Sequence, residues 1–272
     1  MAITTPRRGA NAEGRMPLGD HLRELRKRVV RAALGLLLGA IAGWFLYEPV
    51  LAALVLPVRA VAEEQDIAVN LNIQTLVGAF DLKLKVSLFI GVIVSSPIWT
   101  YQLWAFVTPG LTRKERRYAL GFVLSAVPLF ASGAGLAYLF LGNAVRFLVE
   151  FTPADVENLL NLQDYLSFVM RIILAFGLSF LVPVVLIALN FTGILSARSM
   201  VSAWRWIVVV AFTFAAIATP TPDVLSMFFL ALPLLCLFAL AIGIAALNDR
   251  RRRRSGGDPD YVGLDDDEAS TL

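Results

Sequence analysis

The chain has 272 residues, of which 58% are hydrophobic and 17% charged. A water-soluble domain carries about 25% charged residues, and here the apolar excess is gathered into long uncharged blocks, so a soluble globular fold is excluded. With one cysteine, Cys236, and one histidine, His21, the chain has no material for a disulfide, a thiolate metal site or a histidine cluster.

Residues 1–17 are basic and apolar-poor and read as a disordered tail. Arg7-Arg8 resembles half of an export signal, but no apolar core or small-residue cleavage site follows within reach. No cleavable signal peptide is expected. Leu18, Leu22, Leu25 and Val29 then recur at helical spacing, with Arg23, Glu24, Lys27 and Arg28 off that stripe. The pattern predicts a short amphipathic helix lying on the cytoplasmic face, capped by Asp20 and drawn to anionic headgroups.

The apolar blocks follow. Residues 32–58 hold a single charge, Glu48, and residues 86–112, 118–145, 172–197, 206–222 and 224–248 hold none. A bilayer-spanning helix needs about 20 apolar residues. Six spans are therefore expected, near 30–47, 83–106, 118–146, 164–192, 205–219 and 223–247. The fifth is short, and Pro220, Pro222 and Asp223 turn it sharply into the sixth. Asp223 suits the start of that last helix as a cap. The segment 48–81 is acidic at Glu63, Glu64, Asp66 and Asp81, yet its Leu51, Leu54, Val55 and Leu56 predict a packed cap. Residues 248–272 form a cytoplasmic tail that opens with five arginines and then reads as disordered.

Charge sets the orientation. Nineteen of the 24 Lys and Arg residues fall in the N-terminal tail, near 113–117, near 195–205 and in Arg250–Arg254. The positive-inside rule makes these segments, and both termini, cytoplasmic. An even number of spans follows, and six fit.

Chemistry has few candidates. No Walker loop, nucleophile elbow or zinc-helix motif occurs, so no enzyme, cofactor, metal or nucleic-acid site is expected. Glu24 stands four residues before Arg28, and Glu115 is the single acid among Arg113, Lys114, Arg116 and Arg117. One reading makes both ordinary surface ion-pair partners. The other makes them acceptors for a cationic ligand, since carboxylates hold an arginine fork bidentately. Pattern alone leaves both open. Within the spans Gln102, Asn143, Arg171 and Asn190 are polar, and an ionisable residue in a membrane points to function. Arg171 also has a structural reading, snorkelling outward or pairing with Asp164 seven residues earlier.

The residues also carry a family pattern. His21-Leu22-Arg23-Glu24-Leu25-Arg26-Lys27-Arg28 is followed by Leu84-Lys85-Val86-Ser87-Leu88-Phe89 and Ser96-Pro97. Then come the run Tyr101 to Leu111, Glu115-Arg116, Tyr165 to Val169, Ala175-Phe176-Gly177 and Thr219-Pro220-Thr221-Pro222-Asp223. In this order and spacing the chain resembles, over about residues 18–247, the TatC family, the multi-span receptor subunit of the twin-arginine protein translocase. The resemblance implies an all-α membrane protein of six helices in a concave, glove-like bundle with a periplasmic cap. It implies a signal-peptide site on the cytoplasmic side, with Glu24 and Glu115 as acceptors and His21, Arg26, Phe106 and Pro109 around them. Implied partners are the single-span TatA and TatB subunits, other TatC copies, twin-arginine signal peptides of folded precursors and the lipid bilayer. TatA would assemble in response to the proton-motive force, in the cytoplasmic membrane of a prokaryote.

Two positions depart from that pattern. Leu181 stands in the fourth span where many members carry an acid or amide, and Met227 stands in the last span where many carry glutamine. Together with Gln102, Arg171 and Asp223 they belong to the implied polar lining or partner-contact surface. The competing function is a secondary transporter of a small solute, with Arg171, Asn143 and Asn190 as its site. No internal repeat supports it.

Overall fold

The computed structural model describes residues 18–64, 69–107, 115–150, 158–191, 193–218 and 224–254. In chain order the elements are α1 (Leu18–Phe45), α2 (Tyr47–Glu64), β1 (Val69–Asn72), α3 (Gly78–Val94), α4 (Ser96–Val107) and α5 (Glu115–Glu150). They continue with β2 (Asn158–Asn161), α6 (Leu162–Phe191), α7 (Ala197–Ser202), α8 (Trp204–Ala218) and α9 (Val224–Arg254).

Three expectations change at the start of the chain. The separate surface helix and the first span are one helix, α1, because Val29-Val30-Arg31-Ala32-Ala33 contains no breaker. Asp20 accordingly lies inside α1 and is not its cap. The span expected over 83–106 is two helices, α3 and α4, bent by 58°. Pro97 causes the bend: it lacks an N–H and its ring crowds the preceding turn. The amides of Ile98 and Trp99 both turn to the Ser95 carbonyl, at 2.8 and 3.1 Å.

Backbones meet closely where side chains are missing. α1 runs antiparallel to α3, with Gly43 beside Ser87, Gly39 beside Gly91 and, further on, Gly35 against Ile98 of α4. A methyl group on Gly39 would sit 2.7 Å from the Gly91 carbonyl oxygen. Helices in lipid gain little from apolar burial and rely on such close backbone approach. This seam, Gly35-x3-Gly39-x3-Gly43, is visible in the sequence as small residues every fourth position.

Two short strands were not expected. β1 and β2 form a parallel pair, from Val69 opposite Asn158 to Asn72 opposite Asn161. Four residues of mixed Val, Leu and Asn show no strand period strong enough to detect. The pair joins the segment before α3 to the segment before α6, so both helices start at one end of the molecule. α2 covers this end as the cap that was expected, with Leu54, Val55, Val58 and Val61 buried and Leu56 left exposed. The Tyr138 hydroxyl donates to the Ala53 carbonyl at 2.8 Å and the Tyr165 hydroxyl to the Leu54 carbonyl at 3.0 Å. Arg146 pairs with Glu64 across the same end.

The opposite end is closed by a polar latch. Asp249 of α9 accepts from the Asn190 side-chain amide and from the Ala197 backbone N–H, each at 2.8 Å. Asn190 also donates to the Leu195 carbonyl at 2.9 Å and accepts from Asn248 at 3.0 Å. Only 1% of Asn190 is exposed, so every one of these bonds replaces lost water.

Among the described residues four helices are long and apolar enough to cross a bilayer, and the α3–α4 pair makes a fifth. Trp204–Ile217 in α8 is a shorter apolar helix. Their outer faces carry Leu37, Leu38, Ile41, Leu139, Trp206 and Ile217, all exposed, as a lipid-facing surface requires.

Candidate functional site

The latch end gathers the basic residues. α1 begins there because it is antiparallel to α3, and α6 and α9 end there. Arg23, Arg26, Lys27, Arg28, Arg198, Arg250, Arg251 and Arg252 therefore share one end of the molecule. Gly193, in left-handed backbone with φ +80°, leaves room for the Arg252 guanidinium beside it.

Glu24 sits in the second turn of α1, half-buried, and meets Arg28 through one oxygen. The Arg28 Nε donates to Oε1 at 3.1 Å, and Nη2 donates to the same atom. Oε2 keeps its acceptor capacity. The i,i+4 pair expected from spacing is thus present, and it uses only half of the carboxylate. Arg26 is exposed, and so are Leu22 and Val29 of the apolar stripe, while Leu25 is half-buried.

α4 ends close by. α1 packs on it at Gly35 and Ile98, and its last turn carries half-buried Phe106. One turn before Phe106, Gln102 holds a buried Oε1 without a hydrogen-bond partner in the structure. Such an acceptor is costly unless a donor arrives. α5 then starts at Glu115. Three elements carrying sequence-predicted residues therefore converge. The side chains of His21 and Glu115, and the whole of Pro109 and Asp223, lie outside the described residues.

An apolar groove of about 480 Å³ adjoins this region between α4, α5, α6 and α9. Trp104, Phe122, Leu129, Ile187, Phe191 and Ile244 line it. Trp104 stacks on Phe122 with ring centres 4.8 Å apart. Nothing in the sequence patterns marked this groove, because its walls come from four helices far apart in the chain.

The other predicted positions lie elsewhere. Leu181 is buried against Phe130 and Val184 as interior packing, and Met227 is half-buried against the main core. Arg171 does not pair with Asp164; its Nε donates to the Ser167 carbonyl at 3.1 Å. Asn143 is exposed on α5, and Asn190 is consumed by the latch. Arg171 and Asn190 are 19 residues apart on α6, about 28 Å at 1.5 Å per residue. The polar residues named for a solute site thus do not converge. Among the described residues no three His, Cys, Asp or Glu side chains group as metal ligands.

Apolar helices, an outward apolar surface and segregated charge define a multi-span membrane protein. The family model described as Sec-independent protein translocase protein (TatC) matches residues 20–233. The protein of that name from Xylanimonas cellulosilytica is 49% identical over 240 residues, covering 88% of this chain and 87% of its own. That of Frankia casuarinae is 42% identical over 271 residues, covering 96% of this chain and 74% of its own. A crystal structure of the twin arginine translocase receptor TatC superposes with a TM-score of 0.69 at 32% identity, over 85% of this chain and 100% of that one. The chain belongs to the TatC family of Sec-independent protein translocase proteins. It is a translocase component and not an enzyme.

Proposed function

We propose that the protein is the receptor and scaffold of a twin-arginine translocase, with six spans, both termini cytoplasmic and the α2 cap periplasmic, in the cytoplasmic membrane of a prokaryote. The supporting observation is the convergence of the Glu24 turn of α1, the Phe106 end of α4 and the start of α5 at the basic end, in a chain whose solved relative is described as such a receptor. The two arginines of a signal peptide are held by Glu24 and Glu115, with His21, Arg26, Phe106 and Pro109 around them. Glu24 Oε2 is open, and an incoming guanidinium displaces Arg28 at little net cost, since one fork replaces another. The unpartnered Gln102 Oε1 supplies a further acceptor. The peptide's apolar region lies along the 480 Å³ groove walled by Trp104 and Phe122. TatA and TatB helices and other TatC copies dock on the exposed apolar faces, and TatA assembles under the proton-motive force.

The test is direct. Glu115→Lys replaces an acceptor by a repelling cation, so binding of a twin-arginine precursor is abolished, and in chains carrying a cross-linking residue at position 24 or 115 the precursor is captured there. A matched Lys-Lys precursor serves as the control. Wild-type affinity in the Glu115→Lys protein sinks the assignment.

A further inference from the structure

A second groove, of about 560 Å³, opens between α1, α3 and α6, on the half of the molecule nearer the β-ribbon. Its walls are Leu36, Leu88, Phe89, Val92, Met170 and Leu174. Its rim is formed by Lys85, Ser167 and Arg171. We propose that this groove binds one anionic phospholipid, with the phosphodiester held by the Arg171 guanidinium and an acyl chain lying along the apolar walls. The proposal does not depend on the signal-peptide site.

Charge points to the ligand. Lys85 is compensated, with its Nζ 2.7 Å from Asp81 Oδ2. Asp81 also accepts from Gln163 at 3.3 Å. Lys83 turns the other way, its Nζ 4.5 Å from the Trp44 ring centre. Asp164, two turns nearer the start of α6, is exposed and does not pair with Arg171. Arg171 spends only its Nε, on the Ser167 carbonyl at 3.1 Å, and its Nη groups remain for a ligand. Among the described residues the rim therefore has one positive charge without an acidic partner, Arg171, the complement of a phosphodiester monoanion. An unpaired guanidinium in a membrane helix is costly and finds a counter-charge.

Depth agrees. α6 has 30 residues, so it is about 45 Å long against a hydrocarbon core of about 30 Å. Centred in such a core, α6 has about 7 Å of each end in the headgroup layer. Arg171 begins deeper but reaches back to the level of Ser167, about 7 Å from the helix start. The guanidinium is thus at the boundary where lipid phosphates sit.

The experiment titrates the full chain, purified in a neutral detergent, with dioleoyl-phosphatidylglycerol or dioleoyl-phosphatidylcholine and counts bound lipid by native mass spectrometry. The expected result is one retained phosphatidylglycerol and weaker phosphatidylcholine. Arg171→Gln lowers phosphatidylglycerol affinity roughly tenfold, the size of one lost charge-assisted bond, and leaves phosphatidylcholine unchanged. Arg171→Lys falls between. Equal retention of the two lipids by the unsubstituted chain overturns the proposal, as does undiminished phosphatidylglycerol binding by Arg171→Gln. If Arg171 instead serves an acid on a neighbouring protein, the isolated chain shows no lipid preference, which is the same overturning result. Should Arg171→Gln fail to fold, the two-lipid comparison on the unsubstituted chain decides alone.

Discussion

The α1–α3 seam makes a prediction in which one substitution has opposite signs at two positions. In Gly39→Ala the new methyl lies 2.7 Å from the Gly91 carbonyl oxygen and 3.0 Å from its Cα. Both obstacles are backbone of a packed helix, so no rotamer change relieves them. Restoring van der Waals contact requires the helices to part by roughly 0.5 Å or more, and overpacking of this kind costs about 1–3 kcal/mol. Replacing a helical glycine by alanine returns about 0.5–1 kcal/mol of helix propensity, so the net effect is a loss of up to about 2 kcal/mol. Gly121→Ala in α5 meets nothing within 4 Å, and only the propensity gain remains there. The assay is thermal unfolding of the detergent-solubilised chain, followed by loss of the monodisperse peak in size-exclusion chromatography. Gly39→Ala melts lower than wild type and Gly121→Ala melts at or above it. A Gly39→Ala protein at least as stable as Gly121→Ala would refute the close-approach account.

Other outcomes follow from single contacts. Asp249→Ala removes one of the two acceptors of the Asn190 side-chain amide and the acceptor of the Ala197 N–H at the start of α7; it lowers stability by about 1–3 kcal/mol, from buried donors left unsatisfied, and exposes the α6–α7 connection to limited proteolysis. The Tyr138→Phe, Tyr165→Phe pair cuts both hydroxyl tethers of α2, about 1 kcal/mol each, and speeds amide exchange in α2 without altering α8. Glu64→Gln breaks an exposed ion pair with Arg146 and changes the melting temperature little, because exposed pairs contribute about 0–1 kcal/mol.

Most of the membrane architecture was legible in the sequence because it depends on composition over about 20 residues. The uncharged blocks located the apolar helices, and the Lys and Arg distribution separated the ends that the packing also separates: Arg28 and Arg250 at one, Arg146 and Lys85 at the other. The Glu24–Arg28 pair was readable from its i,i+4 spacing, which is local. What the sequence did not decide depends on neighbours distant in the chain. The 58° break between α3 and α4 needed the geometry of Pro97 among its neighbours. The β1–β2 pair joins segments 89 residues apart. Asp249 precedes a run of arginines in the sequence, and its bonds to Asn190 and the Ala197 amide come from residues 59 and 52 positions earlier. Arg171 differs in kind: its charge and approximate depth were readable, but only packing shows that Asp81 is occupied by Lys85 and Gln163, so that among the described residues Arg171 is left without an acid. Hydropathy and charge add up along the chain, and so the sequence alone determines them. Which polar atoms find partners depends on a few ångströms between helices, and only the tertiary structure settles that.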